Sequence, residues 1–542
     1  MGDPKVVVVG LDAACFEQVD PLLADGALPT LERLIDDGAR APLETTTPPW
    51  TPSAWPSVVT GSRPWTHGVY DFYHYGGSEP SHVSARDVRA PFLWELLSAA
   101  GHSSIVVNVP VTHPAHAFDG SLVPGYIAPE SADCLVDGEV MSVDAIDESY
   151  RIYPTGPRSD RLAEYERLVD SRAAMAERLA ADQEWSFLMV QFQSTDAVFH
   201  AMGDDDGAIR RVFERVDAAV ESLLSLAGRD AHVFVVSDHG MHRYEQVFHC
   251  NTWLRDQGYL RTTPETTRFT WNERTRSDLT DGAETDPLTS RVTGALVRRL
   301  RRVGVTPARV ERALGTVGLD ERVAALLPDS VLIDVVDADE HVDWTGSRAY
   351  CRSSAALGIR CNVVGRDPDG VVDPDAFDAL RAELIGELRT MTGPSGDPVF
   401  ERVYDRHRVH GADVANEASA PDIVVRPAGM VWEVSDIVRE RTFGDTTAFN
   451  HSYEGLFVAT GDQIDPDACV EPSVVDIAPT ILALFGIAAP EGMDGRVLDD
   501  CLVDAPPAHD PPEVGEREFV GDDEAGISET VEDRLSEMGY IE

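Results

Sequence analysis

Short, mostly apolar runs constrain the fold of this chain more than any other feature. The first, at residues 6–9 (VVVV), ends just before Asp12, and similar runs follow at 104–109, 185–192 and 232–236. Apolar runs of this length are typical of parallel strands that are buried on both faces of a sheet. They predict strands whose carboxyl ends meet at one edge, where ligands of open α/β sheets collect.

Segments with apolar residues three or four positions apart separate these runs and predict helices. They cover residues 29–37, 91–100, 158–182, 206–226, 374–391 and 474–485. Pro29 is placed to begin the first of these helices, and Asp373 is placed to cap the helix at 374–391. Further strand-like segments occur at 41–46, 349–352, 359–364 and 422–426. Alternating strands and helices predict an α/β domain with a mostly parallel sheet.

A proline-rich stretch at residues 48–61 (PPWTPSAWPSVVTG) contains Thr51 between a tryptophan and a proline. Because the residue before a proline is disfavoured in the α conformation, we expect Thr51 in a stiff turn. Two interpretations of the stretch remain. Thr51 is either an ordinary loop threonine or a hydroxyl presented as a nucleophile.

Acidic residues and histidines follow several predicted strands, where their side chains should converge. They are Asp12, Asp196 with His200 (DAVFH), Asp238 with His239 (SDHG), and His451 in the segment NHSYEG. Aspartate and neutral histidine are suitable ligands for zinc and similar ions. The four-residue spacing of Asp196 and His200 places both on one face of a helical turn.

Each of these residues also has a purely structural interpretation. Asp12 is a possible helix N-cap, Asp196 and His200 are possible solvated helix residues, and His451 is a possible loop histidine. The adjacent pair Asp238-His239 fits such a role less well, because both side chains would need partners at the end of a buried strand.

The charge balance of the chain is strongly acidic. Asp and Glu number 94 against 45 Lys and Arg, which gives a formal net charge of −49, and Lys5 is the only lysine. The acidic excess runs through the whole chain, as expected for the solvated surface of a halophilic protein whose self-repulsion is screened by salt. No basic patch is visible, which disfavours nucleic-acid binding.

Cysteine usage and the hydropathy pattern indicate the compartment. The seven cysteines are scattered and include no CxxC pair, which predicts reduced thiols rather than a disulfide framework or a cysteine zinc site. The N-terminal residues lack the features of a signal peptide, and no run of 18 apolar residues predicts a membrane span. We therefore expect a cytoplasmic protein.

The character of the sequence changes twice after the first predicted strands. Residues 262–342 begin with polar and turn residues and continue into an arginine-rich helical pattern at 290–327, which predicts an insertion. The segment that follows residue 500 is acidic and proline-rich before a predicted terminal helix near 528–538. We therefore expect a catalytic domain at 1–500 and an acidic extension at 501–542.

Taken together, the order of these motifs resembles the alkaline phosphatase superfamily, and within it the type I phosphodiesterase/nucleotide pyrophosphatase family. The matching segments are VVVVGLDAA, PPWTPSAWPSVVTGSRPWTHG, STDAVFH, VVSDHGM and NHSYEG, followed by DIAPTILALFGI and MDGRVL. The resemblance covers roughly residues 5–500 and is thin in the insertion. Together with the acidic composition, it suggests a haloarchaeal-type member of the family.

This resemblance implies a fold and a metal-dependent reaction. The fold is an alkaline-phosphatase-like three-layer α/β sandwich with a mostly parallel central sheet, flanking helices and an inserted cap region. The cofactors are two divalent metal ions, zinc in the first place, with manganese or magnesium as alternatives. One ion would be held by Asp12, Asp238, His239 and Thr51, and the other by Asp196, His200 and His451.

The implied reaction is the hydrolysis of small-molecule phosphoric esters through a phosphothreonine at Thr51, since metal coordination lowers the pKa of a hydroxyl. A phosphotransferase or mutase, a phosphomonoesterase, and a catalytically silent metal-binding protein are the alternatives. The chain departs from the family at one position: many nucleotide pyrophosphatases carry an Asn there that contacts a phosphate oxygen, and this chain has Phe72. The sulfatase branch has a Cys or Ser followed closely by an arginine. No arginine follows Ser53 in this way, which disfavours that branch.

Overall fold

The fold is taken from a computed structural model, which describes residues 4–75, 81–155, 158–228, 230–263, 341–409, 414–503 and 506–520. The helical pattern predicted at 290–327 and the terminal helix predicted at 528–538 lie outside the described residues.

The strands of the described residues are numbered in chain order. They are β1 Val6–Leu11, β2 Ala39–Glu44, β3 Tyr73–His74, β4 Ser81–His82, β5 Ser104–Val107, β6 Gly120–Val123, β7 Asp133–Val136, β8 Glu139–Ser142, β9 Phe187–Phe192, β10 His232–Val236, β11 Gly240–Arg243, β12 Gln246–His249, β13 Thr262–Thr263, β14 His341–Val342, β15 Ala349–Tyr350, β16 Gly358–Cys361, β17 Phe400–Asp405, β18 Ile423–Pro427, β19 Trp432–Ser435, β20 Phe443–Asp445, β21 Phe449–Ser452 and β22 Glu454–Thr460.

The α-helices are numbered in the same way. They are α1 Phe16–Ala24, α2 Pro29–Asp36, α3 Thr51–Thr60, α4 Pro64–His67, α5 Leu93–Ala99, α6 Val143–Ile146, α7 Arg161–Asp182, α8 Ser194–Met202, α9 Asp206–Ala227, α10 Cys250–Asp256, α11 Pro374–Arg389, α12 Arg406–Val409 and α13 Ile477–Leu484.

Nine strands of the described residues form the central sheet, in the order β2-β22-β10-β1-β9-β5-β6-β7-β8. The strands β10, β1, β9, β5 and β6 are parallel. The pairs at both edges are antiparallel. The apolar runs that predicted buried strands are β1, β5, β9 and β10, so the mostly parallel α/β sheet is confirmed. One group of mutually packed helices is α2, α7, α8 and α9, and a separate group is α3, α5 and α13.

A second hydrophobic core lies next to the central domain. It is formed by the sheet β15-β16-β18-β17, the sheet β19-β12-β20 and helix α11. Its buried side chains come from residues between Phe248 and Val438, on both sides of the predicted insertion. Asp373 caps α11 by accepting a hydrogen bond from the Asp375 N–H at 2.9 Å, as its sequence position predicts.

The expectation of a turn at Thr51 is wrong, because Thr51 is the first residue of α3. Proline is tolerated in the first helical turn, where its missing N–H has no intrahelical acceptor, so Pro52 does not prevent the helix from starting. The preceding Trp50 keeps an extended conformation, with φ −114° and ψ 143°. Gly61, at φ 63°, ends the helix in the left-handed conformation that glycine adopts readily.

Part of the acidic extension packs against the central domain. Arg517 forms hydrogen bonds to both carboxylate oxygens of Glu95, at 2.8 and 2.9 Å, and to three backbone carbonyls within residues 85–90. The boundaries of the domains at 1–500 and 501–542 stay a prediction. No helix among the described residues is long and apolar enough to cross a membrane.

Candidate metal and catalytic site

The predicted site residues converge at the carboxyl edge of the parallel strands. Asp12 directly follows β1, the Asp238-His239 pair follows β10, and Asp196 lies on α8 just after β9. His451 reaches them from β21, which pairs with β11 next to this edge. Each of these side chains is fully buried.

One cluster at this edge joins helix α8 to strand β21. The Nε2 atoms of His200 and His451 are 3.2 Å apart. They lie 3.3 and 3.4 Å from Oδ1 of Asp196. The predicted helical turn brings Asp196 and His200 onto one face of α8, and the three ligand atoms lie within 4.8 Å of one another. Such a cluster has the size and donor types of a divalent cation site.

A second cluster of possible ligand atoms consists of Asp12, Asp196 and His239, whose atoms lie within 4.8 Å of one another. Asp196 therefore belongs to both clusters. Asp238 lies beside the second cluster, with its Oδ2 atom 3.1 Å from Nε2 of His239. The imidazoles of His239 and His451 stack with centroids 3.7 Å apart, so the two clusters form one continuous site.

The Thr51 hydroxyl lies next to the second cluster. Its Oγ1 atom is 3.4 Å from Oδ1 of Asp12 and 3.2 Å from Nε2 of His239, and the side chain is fully buried. The start of α3 therefore places a hydroxyl among the predicted ligands.

The sequence analysis missed two side chains that hold Asp12 in place. Trp55 donates its indole N–H to Oδ2 of Asp12 at 2.9 Å, and Gln191 donates to the same oxygen at 2.6 Å. Asn108 in turn donates to Oε1 of Gln191 at 2.7 Å. Gln191 is a polar residue inside an apolar strand and needs a buried partner, which was the available signal. With Oδ2 engaged, Oδ1 of Asp12 faces Thr51 and His239.

Backbone carbonyls fix the tautomers of two site histidines. Nδ1 of His451 lies 3.0 Å from the Pro49 carbonyl, and Nδ1 of His239 lies 3.1 Å from the Gly240 carbonyl. A carbonyl oxygen only accepts, so Nδ1 of each ring donates and Nε2 is the nitrogen left for a metal. Histidine ligands of metals are commonly oriented in this way.

The electrostatics of the site favour a bound cation. Burial, and then the negative charges of Asp238 and Asp196, raise the pKa of Asp12 well above its usual range. Burial lowers the pKa of His451 to about 3, so its imidazole is neutral at physiological pH. Oδ2 of Asp238 is buried and accepts no hydrogen bond from the described residues. Closely spaced buried carboxylates beside the neutral imidazole of His451 fit a divalent cation, which supplies the missing positive charge.

Phe72 stands where the family often has a phosphate-contacting Asn. The side chain of Phe72 is 1% exposed and belongs to the main hydrophobic core. No polar group replaces the amide at this position.

This fold and site define a hydrolase of the α/β class with an alkaline-phosphatase-like fold. The sequence model of the family described as "Type I phosphodiesterase / nucleotide pyrophosphatase" matches residues 6–437, and the chain belongs to that family. The family is metal-dependent and hydrolyses phosphoric esters.

Solved structures share this fold at low sequence identity. Phosphonoacetate hydrolase from Sinorhizobium meliloti 1021, in complex with phosphonoformate, is 16% identical with a TM-score of 0.50; the match covers 88% of this chain and 94% of that one. A variant of the alkaline phosphatase PafA is 14% identical with a TM-score of 0.52; the match covers 93% of this chain and 100% of that one. A search of the curated proteins found no match.

Proposed function

We propose that this chain hydrolyses phosphodiesters or nucleotide pyrophosphates through a phosphothreonine at Thr51. The observation that carries the proposal is the buried Thr51 hydroxyl at the start of α3, 3.4 Å from Asp12 and 3.2 Å from His239. A buried hydroxyl among carboxylates and imidazoles is unusual for a structural threonine and typical of a nucleophile near metal ligands.

Two divalent cations fit the donor set, and zinc suits its imidazole and carboxylate ligands. The proposed ligands of one are Asp12, Asp238, His239 and Thr51, and those of the other are Asp196, His200 and His451. When bound, the cations supply positive charge that lowers the pKa of the hydroxyl and neutralises the phosphoryl oxygens. Asp196 contacts both histidine clusters, which supports two closely spaced positions.

The residues of the chain then carry out two displacements. In the first, a bond forms between Thr51 Oγ1 and phosphorus, the bond to the leaving oxygen breaks, the hydroxyl proton of Thr51 passes to solvent, and the leaving oxygen takes up a proton. In the second, water attacks phosphorus, the Thr51 ester breaks, and a proton from the attacking water restores the Thr51 hydroxyl. Asp12 orients Oγ1 throughout, because Trp55 and Gln191 hold its other carboxylate oxygen.

Substitution of Thr51 tests this proposal. We expect Thr51→Ala to lower kcat on 4-nitrophenyl phosphodiesters by a factor on the order of 10³ or more, since the nucleophile is lost. Thr51→Ser keeps a hydroxyl and should retain measurable turnover. Mass spectrometry of the acid-quenched protein should find one added phosphoryl group on the peptide that contains Thr51. Undiminished turnover by Thr51→Ala would refute the proposed nucleophile.

The acidic composition supports a high-salt cytoplasm as the working environment, and the described residues contain no membrane-crossing helix.

Metal content is measured after removal of ions and reconstitution in molar salt. Two zinc equivalents per chain are expected, and Asp238→Ala should reduce this number. An unchanged metal content in Asp238→Ala would remove Asp238 from the ligand set.

A further inference from the structure

A cavity beside helix α3 is lined by arginines, although the chain as a whole is strongly acidic. The cavity measures about 240 Å³, and its charged lining residues are Arg63, Arg402, Arg406, Arg426 and Glu44. We call it the arginine cavity. Acidic residues outnumber basic ones two to one in the whole chain, so four arginines around one carboxylate reverse the local sign of charge. A cavity of this kind concentrates anions.

Arg406 supplies buried donors that the protein leaves unused. Its side chain is only 2% exposed, and Nη2 lies 3.3 Å from Asp422 and 3.4 Å from Glu417. Nε and Nη1 are buried and have no hydrogen-bond acceptor among the described residues. Buried donors of a charged group are nearly always satisfied in folded proteins, so these two unused donors leave the positive charge of Arg406 incompletely neutralised.

The other arginines of the cavity differ in how far they are neutralised. Arg426 is paired with Glu401 and stacks over the ring of Tyr453 at 3.9 Å. Arg63 and Arg402 form no ion pair with a described carboxylate; Arg63 lies over the Trp65 ring at 5.6 Å. The half-buried Arg63 and the exposed Arg402 thus keep their charge for a ligand, and Arg406 is only partly neutralised by Asp422 and Glu417.

The arginine cavity is connected to the catalytic residues by one short loop. Thr47 and Pro48 form part of its wall. The next residue, Pro49, accepts the hydrogen bond from His451 at 3.0 Å, and Thr51 follows two residues later. Three extended residues span at most about 11 Å, so the cavity wall at Pro48 lies no farther than this from Thr51, a distance that an extended substrate spans.

We propose that the arginine cavity binds a second anionic group of the substrate, a carboxylate or a phosphoryl group remote from the scissile phosphorus. The guanidinium of Arg406 supplies buried positive charge to this group, and Arg63 and Arg402 add charge at the rim. The side chains of Trp65, Tyr70 and Tyr404 form walls for the apolar part between the two anionic ends. The inference rests on the proposed function, because it assigns the far end of the same substrate.

Three substrates of equal length separate the possible ligands. Each is a 4-nitrophenyl phosphodiester whose second ester group is an alkyl chain that ends in a methyl, a carboxylate or a phosphoryl group. We expect kcat/KM of the wild-type protein to be at least tenfold higher for one or both anionic esters than for the methyl ester. The better of the two identifies the anionic group. Chloride is held constant, because salt screens exposed charges far more than buried ones.

Variants of the cavity arginines test whether the preference for the anionic ester comes from the arginine cavity. Arg406→Gln should remove the preference for the anionic ester and leave kcat/KM for the methyl ester within about twofold. Arg402→Gln tests the same preference at an exposed position if Arg406→Gln does not fold. Arg408→Gln is the matched control, since Arg408 is two residues from Arg406, is 82% exposed and does not line the cavity. It should keep the full preference.

Binding to the Thr51→Ala protein keeps this test independent of catalysis. Calorimetry with the anionic and methyl esters should show the same preference, and Arg406→Gln or Arg402→Gln should abolish it. If the wild-type protein cleaves none of the esters but binds the anionic ones through these arginines, the proposed function fails and the cavity assignment stands. Equal kcat/KM and equal binding of all three esters would overturn the assignment. So would non-competitive modulation of methyl-ester cleavage by inorganic phosphate that Arg406→Gln abolishes, because the cavity would then bind an effector.

Discussion

At the scale of single residues, the orientation of Asp12 determines the geometry of the site. Both hydrogen bonds to its Oδ2 come from side chains that are remote in sequence, Trp55 and Gln191. Oδ1 remains directed at Thr51 and His239. Residues that orient a metal ligand typically affect metal affinity about as strongly as they affect activity.

We expect Trp55→Phe to lower the affinity for zinc by roughly ten- to a hundredfold, because Asp12 loses one of the two bonds that hold it. Zinc affinity is measured by competition with a chelator. Trp94→Phe is the matched control, since Trp94 is equally buried but donates its indole N–H to His116. An equal loss of affinity in both variants would show that Trp55 acts through general stability alone.

A second prediction concerns the pH dependence of stability. Burial lowers the pKa of His116 from 6.5 to about 4, and the adjacent Glu95 and Arg517 act on it in opposite directions. The folded state therefore favours neutral His116, whose stabilising contribution is present above pH 6.5 and is lost as the pH falls towards 4. From pH 7 to pH 5, this one group costs about 2 kcal/mol of unfolding free energy.

His116→Gln removes the titration and keeps an acceptor for the Trp94 indole. We therefore expect the variant to lose about 2 kcal/mol less unfolding free energy than the wild-type protein between pH 7 and pH 5. Denaturant unfolding at constant ionic strength measures this difference. Other histidines contribute equally to both proteins, so the difference between the two pH profiles reports on His116. Parallel profiles would show that His116 does not cause the loss of stability.

The types of the site residues were predictable from the sequence, but their supports were not. Asp12, Asp238 and His239 follow apolar strands, and parallel strands bring their carboxyl ends together. The hydrogen bond from Trp55 to Asp12 depends on how α3 packs on β1, which no local pattern encodes. Gln191 gave only the general signal of a polar residue in a buried strand.

At the scale of elements, the contact between α3 and β1 positions Thr51, the proposed nucleophile. A Cβ atom added to Gly10 of β1 would lie 2.4 Å from the Trp55 ring, so only glycine allows this close approach. The helix itself was mispredicted because Pro52 disfavours the α conformation at Thr51. That local preference is overridden by burial of every residue of α3 and by the tolerance of the first turn for proline.

We expect Gly10→Ala to destabilise the protein by about 1–3 kcal/mol through overpacking. Gly386→Ala is the control, and it should change the unfolding free energy in the opposite direction, with a stabilisation of roughly 0.5–1 kcal/mol. Gly386 is an exposed residue inside α11, and no atom lies near a Cβ added there. Thermal and denaturant unfolding measure both. The ring atoms nearest Gly10 are absent from phenylalanine, so Gly10→Ala should cost less in the Trp55→Phe background. Simple additivity would argue against direct contact.

At the scale of the whole molecule, the described residues form two large hydrophobic cores and an extension that packs against the central domain. The alternation of strands and helices predicted the first core. The second core includes β12, which precedes the insertion and pairs with β19 and β20 beyond it, and no local sequence pattern predicts such long-range pairing. The anchoring of the extension depends on Arg517, and a lone arginine in an acidic, proline-rich segment does not signal its partner Glu95.

The response of the protein to salt is also a property of the whole molecule. With a net charge of −49, the folded state concentrates repulsion that the expanded chain relieves, so screening should stabilise the fold. The screening length falls from about 10 Å at 0.1 M to about 3 Å at 1 M salt. We therefore expect the midpoint of thermal unfolding to rise steeply between these concentrations and to level off above them.

Sodium chloride and sodium sulfate at equal ionic strength distinguish screening from general salting-out. Screening depends on ionic strength, so the two salts should give the same midpoints up to about 1 M, whereas sulfate strengthens apolar burial well beyond chloride. A substantially higher midpoint in sulfate over this range would attribute the salt dependence to the apolar cores. Coinciding curves would attribute it to the acidic surface, which links the composition of the chain directly to the conditions in which its site is assembled.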